Sequence, residues 1–379
     1  MSKLDVLIKD FNKQYKEDIA ARGIARIQTG KIPFSSPRAN YMLYGGIPRG
    51  RIVEFAGEEG SGKTTTALDI VCNAQKLFRQ EYEQEVQELK ALEKPKKEQI
   101  ARLQYLEQRG PKQIVYADCE NTLDEDWACL LGVDVDSMFV LKPMSQTAEQ
   151  IFEMLLQTIE TDEVGLVVLD SLGVMLSAQA YEKSMEEKTY GGIAAALTLF
   201  SKKAELLCVK YNCTLIGINQ MREDMNSQYG GLTTTGGKGW KHNCSARLLF
   251  QKGAFIDERN NELRRSAETP AGNLVMISIA KTKICKPDRR SGFYTLKYDA
   301  GIDTVADTVE TALKYGIIQQ AGAWFTFVDI ESGELVTDED GETLKLQGKP
   351  NVIEFLKSPD NSVLLQEISK RIYELIICT

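Results

Sequence analysis

Residues 57–64 read GEEGSGKT, and this stretch decides the fold. It satisfies the phosphate-binding pattern G-x-x-x-x-G-K-[ST], which ends here at Lys63 and Thr64. The apolar run 52–56 predicts a buried strand before the loop, and Lys63 opens a predicted helix. In this context backbone N–H groups surround phosphates, the lysine reaches the outer phosphates and the threonine hydroxyl binds Mg²⁺. The predicted nucleotide-binding residues of the loop are Gly57, Glu58, Glu59, Gly60, Ser61, Gly62, Lys63, Thr64 and Thr65.

The composition excludes several classes of protein. The chain has 379 residues, of which 43% are hydrophobic and 26% charged, enough apolar mass for a full core. It has no apolar run of the roughly 18 to 20 residues that span a bilayer, and its charged N-terminus is unlike a signal peptide. Eight cysteines without a C-x-x-C pair and a single histidine predict a reducing, cytoplasmic location and no zinc site. The net charge of −8 disfavours general attraction to nucleic acid but leaves room for a local basic channel.

Predicted strands and helices alternate along much of the chain. This alternation is typical of an α/β fold whose mainly parallel sheet is covered by helices on both faces. A helix over 4–15 and a short strand over 23–27 come first. The later predicted strands are 114–118, 166–170, 214–219, 247–251 and 274–281, and the predicted helices include 147–161, 192–211 and two near the C-terminus.

Residues 79–110 differ from their surroundings because they are dense in Glu, Gln, Lys and Arg. Apolar residues form a helical stripe on each side of Pro95, so the stretch predicts a helical hairpin that projects from the domain. It is either a solvated insertion or an arm that binds a protein partner.

Polar residues at three predicted strand ends have the chemistry of an ATPase. Asp170 ends the run LVVLD, where an acid holds Mg²⁺ in phosphate-loop proteins, together with Thr64. Glu120 follows IVYAD, a strand we expect beside the phosphate-loop strand, and its carboxylate can activate the attacking water. Alternatively, Glu120 is a solvated loop carboxylate. Gln220 follows TLIGIN and can sense the γ-phosphate, so Lys63, Glu120 and Gln220 are the predicted catalytic residues of this edge.

A long polar loop, MREDMNSQYGGLTTTGGKGWK, occupies residues 221–241. Loops of this length in compact domains are usually functional or disordered. Glycine amides, hydroxyls and basic side chains suit a sugar-phosphate backbone and carry no base code. The loop therefore predicts a polymer-binding element coupled to ATP, although it could grip protein instead of DNA.

Together these motifs resemble the RecA recombinase family. The segments GRIVEFAGEEGSGKTT, YADCENTLDEDWACLLGVDVD, VVLDS, INQMR and TTTGGKGWK occur in the family's order and spacing. The segments IAKTKICKP, LKYDAGID, AGAWF and LQGKPNVIEFL follow in the same way. The likeness covers roughly residues 23–78 and 112–376. TTTGG after NQ, and K-x-K before CKP, are its most specific parts.

The resemblance implies a domain organisation. Residues 1–30 would form an N-terminal helix and polymerisation arm, and residues 31–330 a phosphate-loop NTPase core of RecA type that contains the insertion 79–110. Residues 331–379 would form a small C-terminal α+β domain.

The resemblance also implies roles for single residues. Asp124 would touch the adenine amino group, Trp127 would stack on the ring and Tyr298 would cover the nucleotide. Lys281 and Lys283 would reach the ATP of the neighbouring subunit, as an arginine finger does. The implied DNA contacts are Tyr190, Gly191, Arg222, Gly236, Gly237 and Lys238. Tyr190 falls where the family inserts an apolar side chain between bases, or is an ordinary aromatic residue at a helix start.

Several features depart from the family pattern. Ala195 replaces an arginine after the first DNA loop, and His242 replaces a phenylalanine that contacts the neighbouring subunit. The insertion 79–110, the short N-terminal segment and the ending ELIICT also differ, and they favour a phage or mobile-element member.

The function implied by the resemblance is DNA recombination and repair of DNA damage. The chain would form a filament of its own copies on single-stranded DNA with ATP and Mg²⁺, pair that strand with homologous duplex DNA and exchange strands. The alternatives are a non-catalytic recombinase paralogue that loads filaments, and a ring-forming phosphate-loop ATPase.

Overall fold

The computed structural model describes residues 2–15, 30–182, 192–223, 232–329, 332–337 and 341–378. The chain divides into a unit of residues 1–30 and a unit of residues 31–379. In the first unit, helix α1 (Lys3–Tyr15) confirms the predicted helix and exposes the apolar side chains of Leu4, Leu7 and Phe11. The predicted strand 23–27 lies outside the described residues.

The second unit is built on a large mixed sheet. The described strands of this unit are β1 (Lys31–Ile32), β2 (Ile47–Pro48), β3 (Ile52–Gly57), β4 (Gln113–Asp118), β5 (Met138–Leu141), β6 (Val164–Asp170), β7 (Thr214–Glu223), β8 (Leu232–Thr234), β9 (Ala246–Ile256), β10 (Glu262–Leu263), β11 (Gly272–Thr282), β12 (Ser291–Lys297), β13 (Gly301–Ile302), β14 (Ile318–Ala321), β15 (Trp324–Phe327) and β16 (Lys345–Gln347). Strands β1 and β2 pair with each other, and β14 to β16 form a sheet of their own, so the large sheet contains the other eleven. The main path of the sheet runs β13-β12-β11-β9-β3-β7-β6-β4-β5. The six strands from β9 to β5 are parallel, and β11, β12 and β13 extend them antiparallel. The expected mainly parallel sheet is therefore confirmed.

Helices cover both faces of this sheet. The described helices of this unit are α2 (Pro37–Met42), α3 (Lys63–Lys90), α4 (Lys97–Arg109), α5 (Glu125–Leu130), α6 (Ala148–Glu160), α7 (Ala178–Glu182), α8 (Ala194–Tyr211), α9 (Gly237–Asn243), α10 (Thr304–Lys314), α11 (Lys349–Lys357) and α12 (Ser362–Cys378). Strand side chains alternate between faces. Val53 and Phe55 therefore join the buried cluster that contains α3, whereas Ile52 joins the cluster that contains α6 and α8. The phosphate-loop strand is buried along its whole length.

One expectation about the strand order is wrong. Glu120 follows β4, and β4 does not adjoin the phosphate-loop strand β3, because β7 and β6 lie between them. Both edges of β3 are hydrogen-bonded to β7 and β9, strands that come much later in the chain. Strand neighbours in sequence are often, but not always, neighbours in a sheet.

The predicted helical hairpin is confirmed, with one difference. Helix α3 runs without a break from the phosphate loop through 28 residues, so the first half of the hairpin continues the phosphate-loop helix. Helix α4 returns beside it, and Arg102 donates two hydrogen bonds to Glu85 across the pair at 2.7 and 3.0 Å. At the base of α4 the Tyr105 hydroxyl donates to Asp162 at 2.8 Å. We call residues 79–110 the arm.

A smaller antiparallel sheet lies towards the C-terminus. Its strand order is β14-β15-β16, and helices α10, α11 and α12 share one buried cluster with it that includes Val309, Phe327, Val352 and Ile372. The two predicted C-terminal helices are confirmed as α11 and α12. The domain boundaries at 30 and 330 stay predictions. No helix within the described ranges is long and apolar enough to cross a membrane.

Candidate active site

The carboxyl ends of four parallel strands meet at one edge of the sheet. Strand β3 enters the phosphate loop at Gly57, and β7 places Gln220 in register with it. Strand β6 ends at Asp170, in register with Asp118 at the end of β4. Because parallel strands end at the same edge, side chains that are distant in sequence form one site there.

The phosphate loop turns from β3 into α3 through glycines in the left-handed region. Gly60 has φ +67° and Gly62 has φ +92°, which other residues adopt only with strain. Helix α3 begins at Lys63 without a side-chain cap. The N–H groups of an uncapped first turn are donors for an anion, and the helix dipole favours negative charge there. The loop therefore fits a phosphate group.

Lys63 is buried, and its ammonium lies inside the loop. Nζ donates to the backbone oxygens of Gly57 at 3.1 Å and Glu58 at 2.6 Å. Burial lowers the pKa of Lys63, since desolvation disfavours the charged form. A phosphate in the loop would favour the charged form again, so this position also fits a phosphate ligand.

Thr64 and Asp170 are in direct contact. The Thr64 hydroxyl donates to Asp170 Oδ2 at 2.9 Å, and the buried Tyr116 hydroxyl donates to the same oxygen at 2.7 Å. Burial raises the pKa of Asp170, while these two donors act in the opposite direction. A hydroxyl and a carboxylate oxygen beside a phosphate loop are the oxygen donors that a hard cation such as Mg²⁺ prefers.

Glu120 touches two of its neighbours through one oxygen. Ser171 Oγ donates a short hydrogen bond to Glu120 Oε1, and Gln220 Nε2 donates to the same atom at 3.2 Å. The predicted base and the predicted γ-phosphate sensor are thus hydrogen-bonded, although their strands are separated by β6. Glu120 is partly buried rather than a freely solvated loop carboxylate.

The turn that carries Glu120 is held by a buried acid. Asp118 accepts hydrogen bonds from the backbone N–H groups of Thr122 at 3.2 Å and Leu123 at 3.0 Å. Its two oxygens therefore hold the chain directly after Glu120, in the turn that carries this carboxylate.

The residues predicted to contact the adenine or to cover the nucleotide lie at two places in the structure. Asp124 caps α5 by accepting from the Trp127 N–H at 2.9 Å, and Trp127 Nε1 donates to Thr65 Oγ1 at 3.4 Å beside the phosphate loop. Tyr298 follows β12 and donates to Asn273 Oδ1 at 2.8 Å. Tyr298 is 42% exposed, so it has free surface for a ligand.

Lys281 and Lys283 lie away from the phosphate loop of their own chain. Lys281 on β11 is in register with Arg247 on β9, which is itself in register with Glu54, three residues before Gly57. Lys281 Nζ donates to the backbone oxygens of Lys241 at 2.7 Å and His242 at 2.6 Å, at the end of α9. Lys283 is exposed.

The predicted DNA contacts are described in part. The prediction of a continuous loop over 221–241 is wrong, because β7 extends to Glu223 and the segment also contains β8 and most of α9. Arg222 is exposed near the end of β7, and its Nη2 donates to the backbone oxygen of Gly173 at 3.0 Å. Gly236 and Gly237 open α9 with φ of +100° and +67°, and Lys238 is exposed in its first turn. Tyr190 and Gly191 lie outside the described residues.

Comparison with known proteins identifies the family. A family model described as the RecA N-terminal domain matches residues 4–81 and 96–303. The chain belongs to the RecA family. It is 31% identical to the protein RecA of Frankia casuarinae over 98% of this chain and 92% of that protein. It is 29% identical to the protein RecA of Ruminococcus albus over 97% of this chain and 79% of that protein.

The RecA family match confirms the predicted resemblance and the predicted fold class. The stretch between the two matched ranges, residues 82–95, belongs to the arm. The RecA-type core is thus interrupted where the hairpin extends the phosphate-loop helix. The named relatives come from bacteria, so the predicted phage or mobile-element origin stays a prediction.

Sequence reasoning missed several residues that shape the site. Tyr116 and Asp118 belong to the strand IVYAD, where a tyrosine and an acid interrupt an apolar run, and Ser171 directly follows Asp170. Glu54 interrupts the apolar strand IVEFAG in the same way. A polar residue within a buried strand needs partners, and that signal could have identified Glu54, Tyr116 and Asp118, whereas Ser171 lies just beyond the end of β6.

We expect Asp118→Ala to lower the turnover number for ATP hydrolysis by about tenfold to a hundredfold, because the turn that aims Glu120 loses both of its anchors. Nucleotide affinity should change little, since the phosphate loop is untouched. Steady-state hydrolysis and equilibrium nucleotide binding, measured side by side, check this. Asp126→Ala, at an exposed position in α5, is the control; equal turnover in the two variants would contradict the anchoring role.

Proposed function

We propose that this RecA-family chain is an ATP-dependent recombinase that assembles on single-stranded DNA, pairs it with homologous duplex DNA and exchanges strands. It is a DNA-dependent ATPase and serves recombination and repair after DNA damage. Its place of action is the cytoplasm. Sequence matching comes from base pairing, while the protein contacts the sugar-phosphate backbone.

The hydrogen bond between Gln220 and Glu120 carries the proposal. Gln220 lies on β7, which continues to Glu223, at the start of the polar loop of residues 221–241. Gln220 therefore contacts the predicted base for hydrolysis through its side chain and leads into the predicted DNA-binding loop through its backbone. A ligand that shifts the end of β7 changes the surroundings of Glu120, which makes hydrolysis sensitive to DNA.

We propose ATP and Mg²⁺ as the cofactors. The phosphate loop and Lys63 bind the phosphates, while Thr64 and Asp170 hold the metal ion, which neutralises charge on the phosphates when bound. Tyr116 orients Asp170, and Glu120 accepts the proton of the attacking water. Asp124, Trp127 and Tyr298 bind the nucleoside.

We propose that Lys281 and Lys283 act on the nucleotide of the neighbouring subunit. Both lie away from the phosphate loop of their own chain, on the side of the sheet where β11 extends it. Two cations contributed by another copy can neutralise charge that develops during phosphoryl transfer. Hydrolysis then requires assembly, so the active form is a helical filament.

The alternatives differ in what they require of the site. A non-catalytic mediator needs no hydrolytic base, yet Glu120 is held in place by Ser171 and Gln220. A ring-forming ATPase would give closed rings rather than helical filaments under the electron microscope. An ATPase whose polar loop binds protein instead of DNA would hydrolyse ATP at the same rate with and without DNA.

The first experiment measures ATP hydrolysis with and without single-stranded DNA across a salt series. We expect strong stimulation by DNA that weakens as salt rises, because phosphate contacts release counterions. Lys63→Ala should abolish hydrolysis, and Lys76→Ala, on the same helix beyond the loop, should not. Hydrolysis indifferent to DNA would favour a protein-directed ATPase, and binding without hydrolysis would favour the mediator.

The arm is proposed as a docking surface for a protein. Residues 79–110 contain seven Lys or Arg and seven Glu, so the arm has no net charge to attract DNA. Near its tip Leu92 and Ile100 are 39% and 43% exposed, which offers apolar contact area. Ion pairs such as Lys90 with Glu107, at 2.8 Å, hold the two helices together, so the surface is presented on a rigid element.

We expect Leu92→Ser combined with Ile100→Ser to leave DNA-stimulated hydrolysis by the purified protein unchanged, because the arm tip is remote from the strand ends that form the site. In its native cells the same variant should reduce survival after DNA damage, since the partner is lost. Gln84→Ser with Gln104→Ser, also exposed on the arm, is the control. Full survival of the apolar variant would contradict a docking role.

A further inference from the structure

Glu54 is a fully buried acid in the strand that enters the phosphate loop. Its carboxylate accepts hydrogen bonds from three side chains. Asn219 Nδ2 and Trp240 Nε1 each donate to Oε1 at 2.9 Å, and Arg247 Nε makes a short ion pair with Oε2. A buried carboxylate requires such partners, so these four side chains form one polar unit, which we call the Glu54 cluster.

The donors of the Glu54 cluster flank the polar segment 221–241 or belong to it: Asn219 and Arg247 lie on either side of the segment, and Trp240 lies within it on α9. Asn219 precedes Gln220 on β7, and its Nδ2 also donates to the backbone oxygen of Thr235 at 2.9 Å. Arg247 on β9 also donates to Thr234 Oγ1 on β8 at 3.3 Å. Strand β7 on one side and Thr234 and Thr235 on the other are therefore linked, through Asn219 and Arg247, to one carboxylate.

Trp240 packs α9 closely against β7. The indole is fully buried on α9, so it cannot touch DNA itself. A Cβ atom at Gly217 on β7 would lie only 2.6 Å from Trp240 Cζ2, which shows how closely α9 packs on the strand that carries Gln220. A displacement of α9 moves the indole against β7 and changes its hydrogen bond to Glu54.

We propose that Glu54 and Trp240 are positioning residues that transmit binding at the polar loop to the hydrolytic base. This rests on the proposed function. Oε1 of Glu54 is shared by Trp240 and Asn219, so a shift of α9 alters the bond of Asn219 as well. Asn219 adjoins Gln220, whose amide contacts Glu120. The route therefore runs from α9 through the Glu54 cluster to the site, without any contact between the cluster and DNA.

The test is Trp240→Phe, which removes one N–H donor and keeps most of the aromatic packing. We expect DNA-free hydrolysis and the melting temperature to stay close to the wild-type values, while stimulation by single-stranded DNA falls by about fivefold or more. DNA affinity, measured by anisotropy with a labelled oligonucleotide, should change much less than stimulation. Trp324→Phe, at a half-exposed position on β15, is the matched control.

The outcomes separate three cases. If Trp240→Phe retains full stimulation, the cluster does not transmit the signal and the proposal is overturned. If DNA-free hydrolysis, stability and stimulation all fall together, the cluster is only structural, which also overturns it. If the wild-type protein shows no stimulation, the proposed function fails instead. Glu54→Gln provides a second variant: it removes the charge opposite Arg247 and should lower stimulation further if it folds.

Discussion

The turn that joins β3 to α3 is the constraint on which the rest of the site depends. It requires a left-handed backbone at Gly62, and a Cβ atom there would lie 3.0 Å from Val275 Cγ2 and 3.1 Å from the Tyr294 hydroxyl. Only glycine therefore fits at this position, where β3 and α3 meet the antiparallel strands β11 and β12. Once this turn is fixed, Lys63 lies inside the loop and Thr64 meets Asp170.

The same geometry explains how one sheet couples two ligands. The proposed base follows β4, the proposed metal-binding acid ends β6, and the proposed γ-phosphate sensor lies on β7, between β6 and the phosphate-loop strand. Strand β7 then continues past the site towards the polar loop. A ligand on that loop and a nucleotide at the strand ends therefore act on the same end of one strand. Coupling of this kind needs no large rearrangement, because the Gln220 amide already contacts Glu120.

Much of the site could be predicted from local patterns, because each pattern reports a local chemical need. The phosphate loop, Asp170, Glu120 and Gln220 each follow an apolar strand, and the structure brings these residues together. Strand order could not be read in this way, since it depends on pairing between distant segments, and β4 was wrongly expected beside β3. The continuity of α3 into the arm was also missed, because a change in composition at residue 79 resembled the start of a new element.

Sequence patterns also failed to identify several buried polar residues of the site. Glu54 and Tyr116 have partners that lie far away in sequence, so no spacing rule identifies what they do. Their residue types alone signal that partners exist, and only the tertiary structure supplies those partners.

A strand-exchange assay is the most direct test of the proposed recombinase activity. A labelled duplex would be mixed with a homologous single strand, the protein, ATP and Mg²⁺, and release of the displaced strand would be followed with time. We expect the displaced strand to be released from a homologous duplex and not from an unrelated duplex of equal length. Hydrolysis of ATP and binding of DNA without any displaced strand, under conditions that saturate binding, would contradict it.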